Sequence, residues 1–116
     1  MKTTLGITIL VLFLFCASVA WAGKTTASLG EKWCNSVTST NPADNFPRGI
    51  CVGYMSGWKD ATENPSVVFE DGVTNTQMAK VFIVYMQNHP EEENKPLSDV
   101  LMRAMENAGL VKIGQH

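Results

Sequence analysis

Histidine is almost missing from this chain. His89 and His116 are the only two, and neither stands at metal-ligand spacing from a cysteine. Cysteine is nearly as scarce: Cys16, Cys34 and Cys51 are the three, and no Cys-x-x-Cys occurs. Without those patterns the chain carries no signature of a zinc site or of a thiol–imidazole catalytic pair. A basic patch is missing as well. Nine Lys and Arg stand against eleven Asp and Glu, for a formal net charge of −2, so nothing in the charge pattern draws the chain to nucleic acid. No apolar run reaches the roughly 20 residues that span a bilayer.

What is present begins with a leader. Met1-Lys2 gives a positive start, residues 5–15 are nearly unbroken hydrocarbon, and Ala20-Trp21-Ala22 sets small side chains at the positions a signal peptidase reads. This reads as a secretory signal peptide over 1–22, cut after Ala22, with one domain over 23–116. Phe15 before Cys16 departs from a lipoprotein signal. Loss of Lys2 takes the mature net charge to about −3. The mature chain is expected to be periplasmic, with no membrane attachment after cleavage, in a compartment where thiols oxidise. Cys34 and Cys51 remain there, and a structural disulfide between them is their simplest fate. A loop of that size stabilises by about 3 kcal/mol.

Helical spacing dominates the rest. Ser28-x-x-Glu31 reads as a capping box, and Leu29, Trp33 and Val37 then share a face up to about Ser39, where Thr40-Asn41-Pro42 is turn chemistry. The preceding 23–27 is short and polar and is expected to fray. A second helix starts around Pro47, with Ile50, Cys51, Tyr54, Met55 and Trp58 on one stripe. On it Gly49, Gly53 and Gly57 recur every four residues. Each costs about 1 kcal/mol of helix propensity, so the ridge is expected to allow close approach of another helix, within the domain or across a dimer. Asn64-Pro65 ends this helix, and Val67-Val68-Phe69 reads as an extended piece too short and isolated to make a sheet. Thr74-x-x-Gln77 opens a third helix with Met78, Val81, Phe82, Tyr85 and Met86 on one face, stopped by His89-Pro90. A fourth runs over about 96–108, with Gly109 as its left-handed stop and Leu110 folding back. The 111–116 tail gives no signal. The fold class is therefore all-α: a compact bundle of about four helices, one disulfide joining the first two.

No catalytic constellation emerges, and no cofactor or metal is called for. Asp44, Asp60, Glu63, Glu70, Asp71 and Asp99 are scattered, and Glu91-Glu92-Glu93 reads as a solvated loop or helix start. The methionines Met55, Met78, Met86 and Met105 fall on buried stripes and read as core.

Taken in order, Trp33-Cys34, then Cys51-Val52-Gly53-Tyr54-Met55-Ser56-Gly57, then Gly72-Val73-Thr74-x-x-Gln77, then Val81-Phe82-x-x-Tyr85-Met86, then His89-Pro90-Glu91 and Leu101-x-x-Ala104-Met105 resemble the Rap/Tai family of immunity proteins, small helical periplasmic proteins that neutralise type VI secretion amidases. The resemblance implies a non-catalytic homodimer that plugs the catalytic groove of a peptidoglycan amidase effector. Loops on a rigid scaffold carry recognition, and two are candidates: 63–72, with Asn64, Ser66, Glu70 and Asp71, and the acidic joint 89–95. Relatives carry a second cysteine pair that 67–73 and 109–116 lack, which implies a looser tail. The competing reading is a small periplasmic stress chaperone, or another non-catalytic binding protein, exposing apolar surface in acid.

Overall fold

The computed structural model describes residues 25–114; the leader and its cleavage site lie outside the described residues. Four helices run through them: α1 (Ala27–Cys34), α2 (Asn45–Thr62), α3 (Asn75–Asn88) and α4 (Leu97–Asn107). Single 3-10 turns precede α2 at Pro42–Asp44 and α4 at Pro90–Glu92. The short α1 packs against all three longer helices. The core is built from Cys51, Met55 and Trp58 of α2, Met78, Phe82 and Met86 of α3, and Leu97, Val100, Leu101 and Met105 of α4. Four of the methionines are buried, in line with their place on the stripes. The all-α bundle is as its spacing predicts.

Cys34 and Cys51 are bonded, with 5.1 Å between their Cα atoms, and join the end of α1 to α2. Both are buried. Between them, Asn41 Oδ1 accepts from the Ala43 amide at 3.1 Å, and the Arg48 guanidinium donates to the Ser39 carbonyl and to Asn45 Oδ1. The turn chemistry of Thr40-Asn41-Pro42 thus becomes a capped 3-10 turn leading into α2. Pro47 sits in the first turn of α2, where its missing N–H costs no helical bond.

Three expectations change. First, α1 begins at Ala27 and is capped by Thr26, whose hydroxyl accepts from the Leu29 amide at 3.4 Å. Ser28 therefore lies inside the helix, not at its cap. The reason is tertiary. The Ala27 amide donates to the Lys95 carbonyl, the Ser28 amide to the Glu93 carbonyl, and the Leu97 amide to the Thr25 carbonyl, at 2.8–2.9 Å. Residues 25–27 are pinned rather than frayed. The helix ends at Cys34, ahead of the expected Ser39, in turns at 35–38, and Leu29 is exposed rather than inward.

Second, Val67–Phe69 is not isolated. As β1 it pairs antiparallel with β2 (Val111–Ile113), with Phe69 opposite Val111 and Val67 opposite Ile113. Phe69 and Val111 are both buried, and Phe69 meets Trp58 edge-on at 5.6 Å between centroids. The pairing ties down the tail without a second bridge. The turn that delivers β2 is readable: Gly109 has φ 74°, its amide donates to Glu106 and that of Leu110 to Met105. Those are the paired bonds of a Schellman stop.

Third, the glycine ridge packs against nothing among the described residues. A Cβ built on Gly49, Gly53 or Gly57 meets no atom within 4 Å, so the within-domain half of that expectation is not met. The glycine that does permit a close approach is Gly30, whose Cβ would lie 2.6 and 2.7 Å from the two methyls of Leu97.

Candidate functional site

The 63–72 loop is more ordered than a plain connection. Asn64 Oδ1 accepts from the Ser66 amide at 2.7 Å and the Val67 amide at 3.0 Å, while its amide nitrogen donates to the Thr62 carbonyl. Asn64 is thus consumed in shaping an Asx turn that launches β1. The Ser66 carbonyl accepts from the Gly114 amide. After the strand, Glu70 accepts from Lys112 Nζ at 3.2 Å, and Asp71 is exposed beside Gly72, at φ 79°. The four candidate contact residues therefore flank one short strand: Asn64 and Ser66 at its start, Glu70 and Asp71 at its end. Their roles differ. Asn64 shapes the turn, Glu70 bridges the two strands, and Asp71 presents a carboxylate to solvent.

The joint 89–95 departs from the expected solvated run. Glu91 and Glu93 are exposed, but Glu92 is only 5 % exposed. Its Oε1 receives Arg103 Nε from α4 at 2.7 Å and Lys95 Nζ at 3.4 Å. Hydrogen bonding from the Tyr85 hydroxyl of α3, followed by Lys95 and the Arg103 charge, holds the Glu92 carboxyl below the usual carboxylate range against the opposing effect of burial. Among the described residues, none donates a hydrogen bond to Oε2. On the other side of the contact, burial first and the Glu92 carboxylate second push the Tyr85 phenol upward. The Glu91 carboxyl is lowered by its own backbone amide and then by His89, whose Nδ1 lies 3.2 Å away.

Next to this cluster the His89 ring stacks on Tyr85, with centroids 4.2 Å apart. The stacked pair helps line an open groove of about 320 Å³ between α3 and α4, together with Val81, Val84 and Ala104. Val84 is exposed there. Among the described residues, no group of three or more His, Cys, Asp and Glu could hold a metal ion, and no helix is long and apolar enough to cross a membrane.

The two loops are legible in the sequence, but what organises them is not. Arg103 is the exposed flank of an apolar helix, and nothing in its spacing from Glu92 announces a pair. Nor does the 111–113 tail announce its strand partner more than forty residues back.

Compared with known families, the chain matches a model described as Rap1a immunity proteins over residues 16–108. No curated protein and no solved structure matches it.

Proposed function

This chain belongs to the Rap1a immunity protein family, and from that premise we propose that it acts in the periplasm by binding a type VI secretion peptidoglycan amidase and covering its catalytic groove. The observation that carries the reading is the family match, which extends over most of the chain. In this reading residues 1–22 are removed on export and 23–116 form the inhibitor. The strand-tied loop 63–72 supports it: the β1–β2 pairing and the Asn64 turn hold the loop in place, which reduces the ordering entropy that association must overcome.

Asp71 is the contact we propose in that loop. Asp71→Lys is expected to weaken binding to the cognate amidase by about tenfold or more, the range of an interface hot spot, and to leave the melting temperature unchanged. Titration calorimetry against any purified peptidoglycan amidase encoded beside this protein measures the first, and a thermal melt the second. Unchanged affinity would remove Asp71 from the interface. Failure of the unaltered protein to bind or inhibit that amidase would remove the amidase reading altogether.

The outward glycine ridge of α2 is proposed as a homodimer contact, since the bare backbone at Gly49, Gly53 and Gly57 allows close helix approach. Gly53→Ala is expected to raise the stability of the monomer by about 1 kcal/mol through helix propensity while weakening self-association. Urea unfolding and sedimentation velocity read the two effects separately. A variant that dimerises as the parent does would show that the ridge is not the contact.

A further inference from the structure

Glu92 occupies a junction that the binding role does not use. Its carboxylate lies under the joint 89–96, where Tyr85 of α3, Arg103 of α4 and Lys95 of the joint all face it. Glu91 and His89 face each other beside it, and Glu93 is exposed. Just past Glu92, the carbonyls of Glu93 and Lys95 and the amide of Leu97 carry the three backbone bonds that hold residues 25–28. That N-terminal stretch, Thr25-Thr26-Ala27-Ser28, brings no titratable side chain of its own. One buried carboxylate therefore anchors the joint to α3 and α4, and the joint in turn anchors the start of α1.

We propose that Glu92 is an acid-released latch: when its carboxylate is neutralised, the joint 89–96 and the segment 25–28 loosen together while the disulfide-linked bundle beneath stays folded. The bundle survives because most of its apolar core lies on α2, α3 and α4, with Ala27 the core residue inside the released segment, and because the Cys34–Cys51 bond joins α1 to α2. The latch is half-satisfied by construction, since Oε1 takes both cations and Oε2 takes no regular hydrogen bond. The Tyr85 hydroxyl hydrogen-bonds the same carboxylate, so its hold rests on charge-assisted contacts that a neutral carboxyl weakens. The direction with pH follows. A carboxyl held low in the folded chain contributes stability that is complete above the ordinary glutamate value of about 4.3 and is lost as pH falls through the lower folded value.

Amide hydrogen exchange, corrected for the intrinsic rate at each pH, tests this residue by residue. In the unaltered protein, moving from pH 7 to about pH 3 is expected to cut protection at Ala27, Ser28 and Leu97 by about tenfold or more, with Met55 and Phe82 changing far less. Glu92→Gln is expected to show the same selective loss already at pH 7 and no further selective loss in acid. Arg103→Gln, which leaves the carboxylate but removes its closest cation, should show the loss at pH 7 as well and serves if the first variant folds poorly. Full protection at Ala27, Ser28 and Leu97 in both variants overturns the latch. So does an equal loss at all five amides in the unaltered protein at acid pH, because Glu92 would then be one more contributor to global stability.

Discussion

Removing the Cys34–Cys51 bond is expected to lower the stability of the fold by about 3 kcal/mol, the entropy of closing a loop of this size in the unfolded chain. The cysteines are 17 residues apart in sequence, and both are buried. The cross-link also joins the eight-residue α1 to the rest, and a helix that short has little stability of its own. Against a total of about 5–15 kcal/mol for a small domain, the loss is large. The Cys34→Ala, Cys51→Ala double variant, and the parent treated with reductant under mild denaturation, should both show a urea midpoint displaced downward. The thermal midpoint should drop by roughly 12–24 °C at the usual conversion for a domain of this size. A double variant with the parent's midpoint would mean that core packing alone holds α1 in place.

Gly30→Val should cost about 2–3 kcal/mol, as overpacking a closed core does. A Cβ at position 30 would sit 2.6 and 2.7 Å from the Leu97 methyls and 3.2 Å from its Cγ. Leu97 is fully buried, so turning its side chain aside would mean repacking its core neighbours. The backbone is no freer, because the Leu97 amide is bonded to Thr25 just ahead of Gly30. Alanine at position 30 should lose less, since its gain of about 1 kcal/mol in helix propensity offsets part of the clash. The comparison with Gly53→Ala, where no atom lies within 4 Å, isolates the cause: the same residue type in helices, with opposite signs expected. Urea unfolding of the three variants decides it. A Gly30→Val protein as stable as the parent would show that α1 and α4 can separate at little cost.

The acid latch and the glycine contrast share an origin with the sequence expectations that changed. Ser28-x-x-Glu31 has the local form of a cap, yet Thr26 takes the role because Thr26 pairs with Pro96. The ridge of Gly49, Gly53 and Gly57 stands out by its repeat and faces outward, while the single Gly30 carries the close approach. Asn64 looks like a contact residue by composition and is spent on a turn. For the cap and for Gly30 a partner distant along the chain decided the outcome, whereas Asn64 is engaged by amides two and three residues on.

What the residues determined unaided were the features whose physics is local or nearly so. A period of 3.6 places Met78, Phe82 and Met86 inward on α3, Thr74 caps that helix by accepting from the Gln77 amide three residues on, Gly109 stops α4 because glycine tolerates a positive φ cheaply, and Cys34 and Cys51, 17 residues apart, are bonded. What only the tertiary structure decided were the pairings over long stretches of chain: β1 with β2, residues 25–28 with the joint, and Glu92 with Arg103. Such contacts carry no periodic signal. Whether a glutamate in an acidic run is solvated or buried depends on which cation the fold brings to it, and that follows from helix packing rather than from its neighbours in sequence.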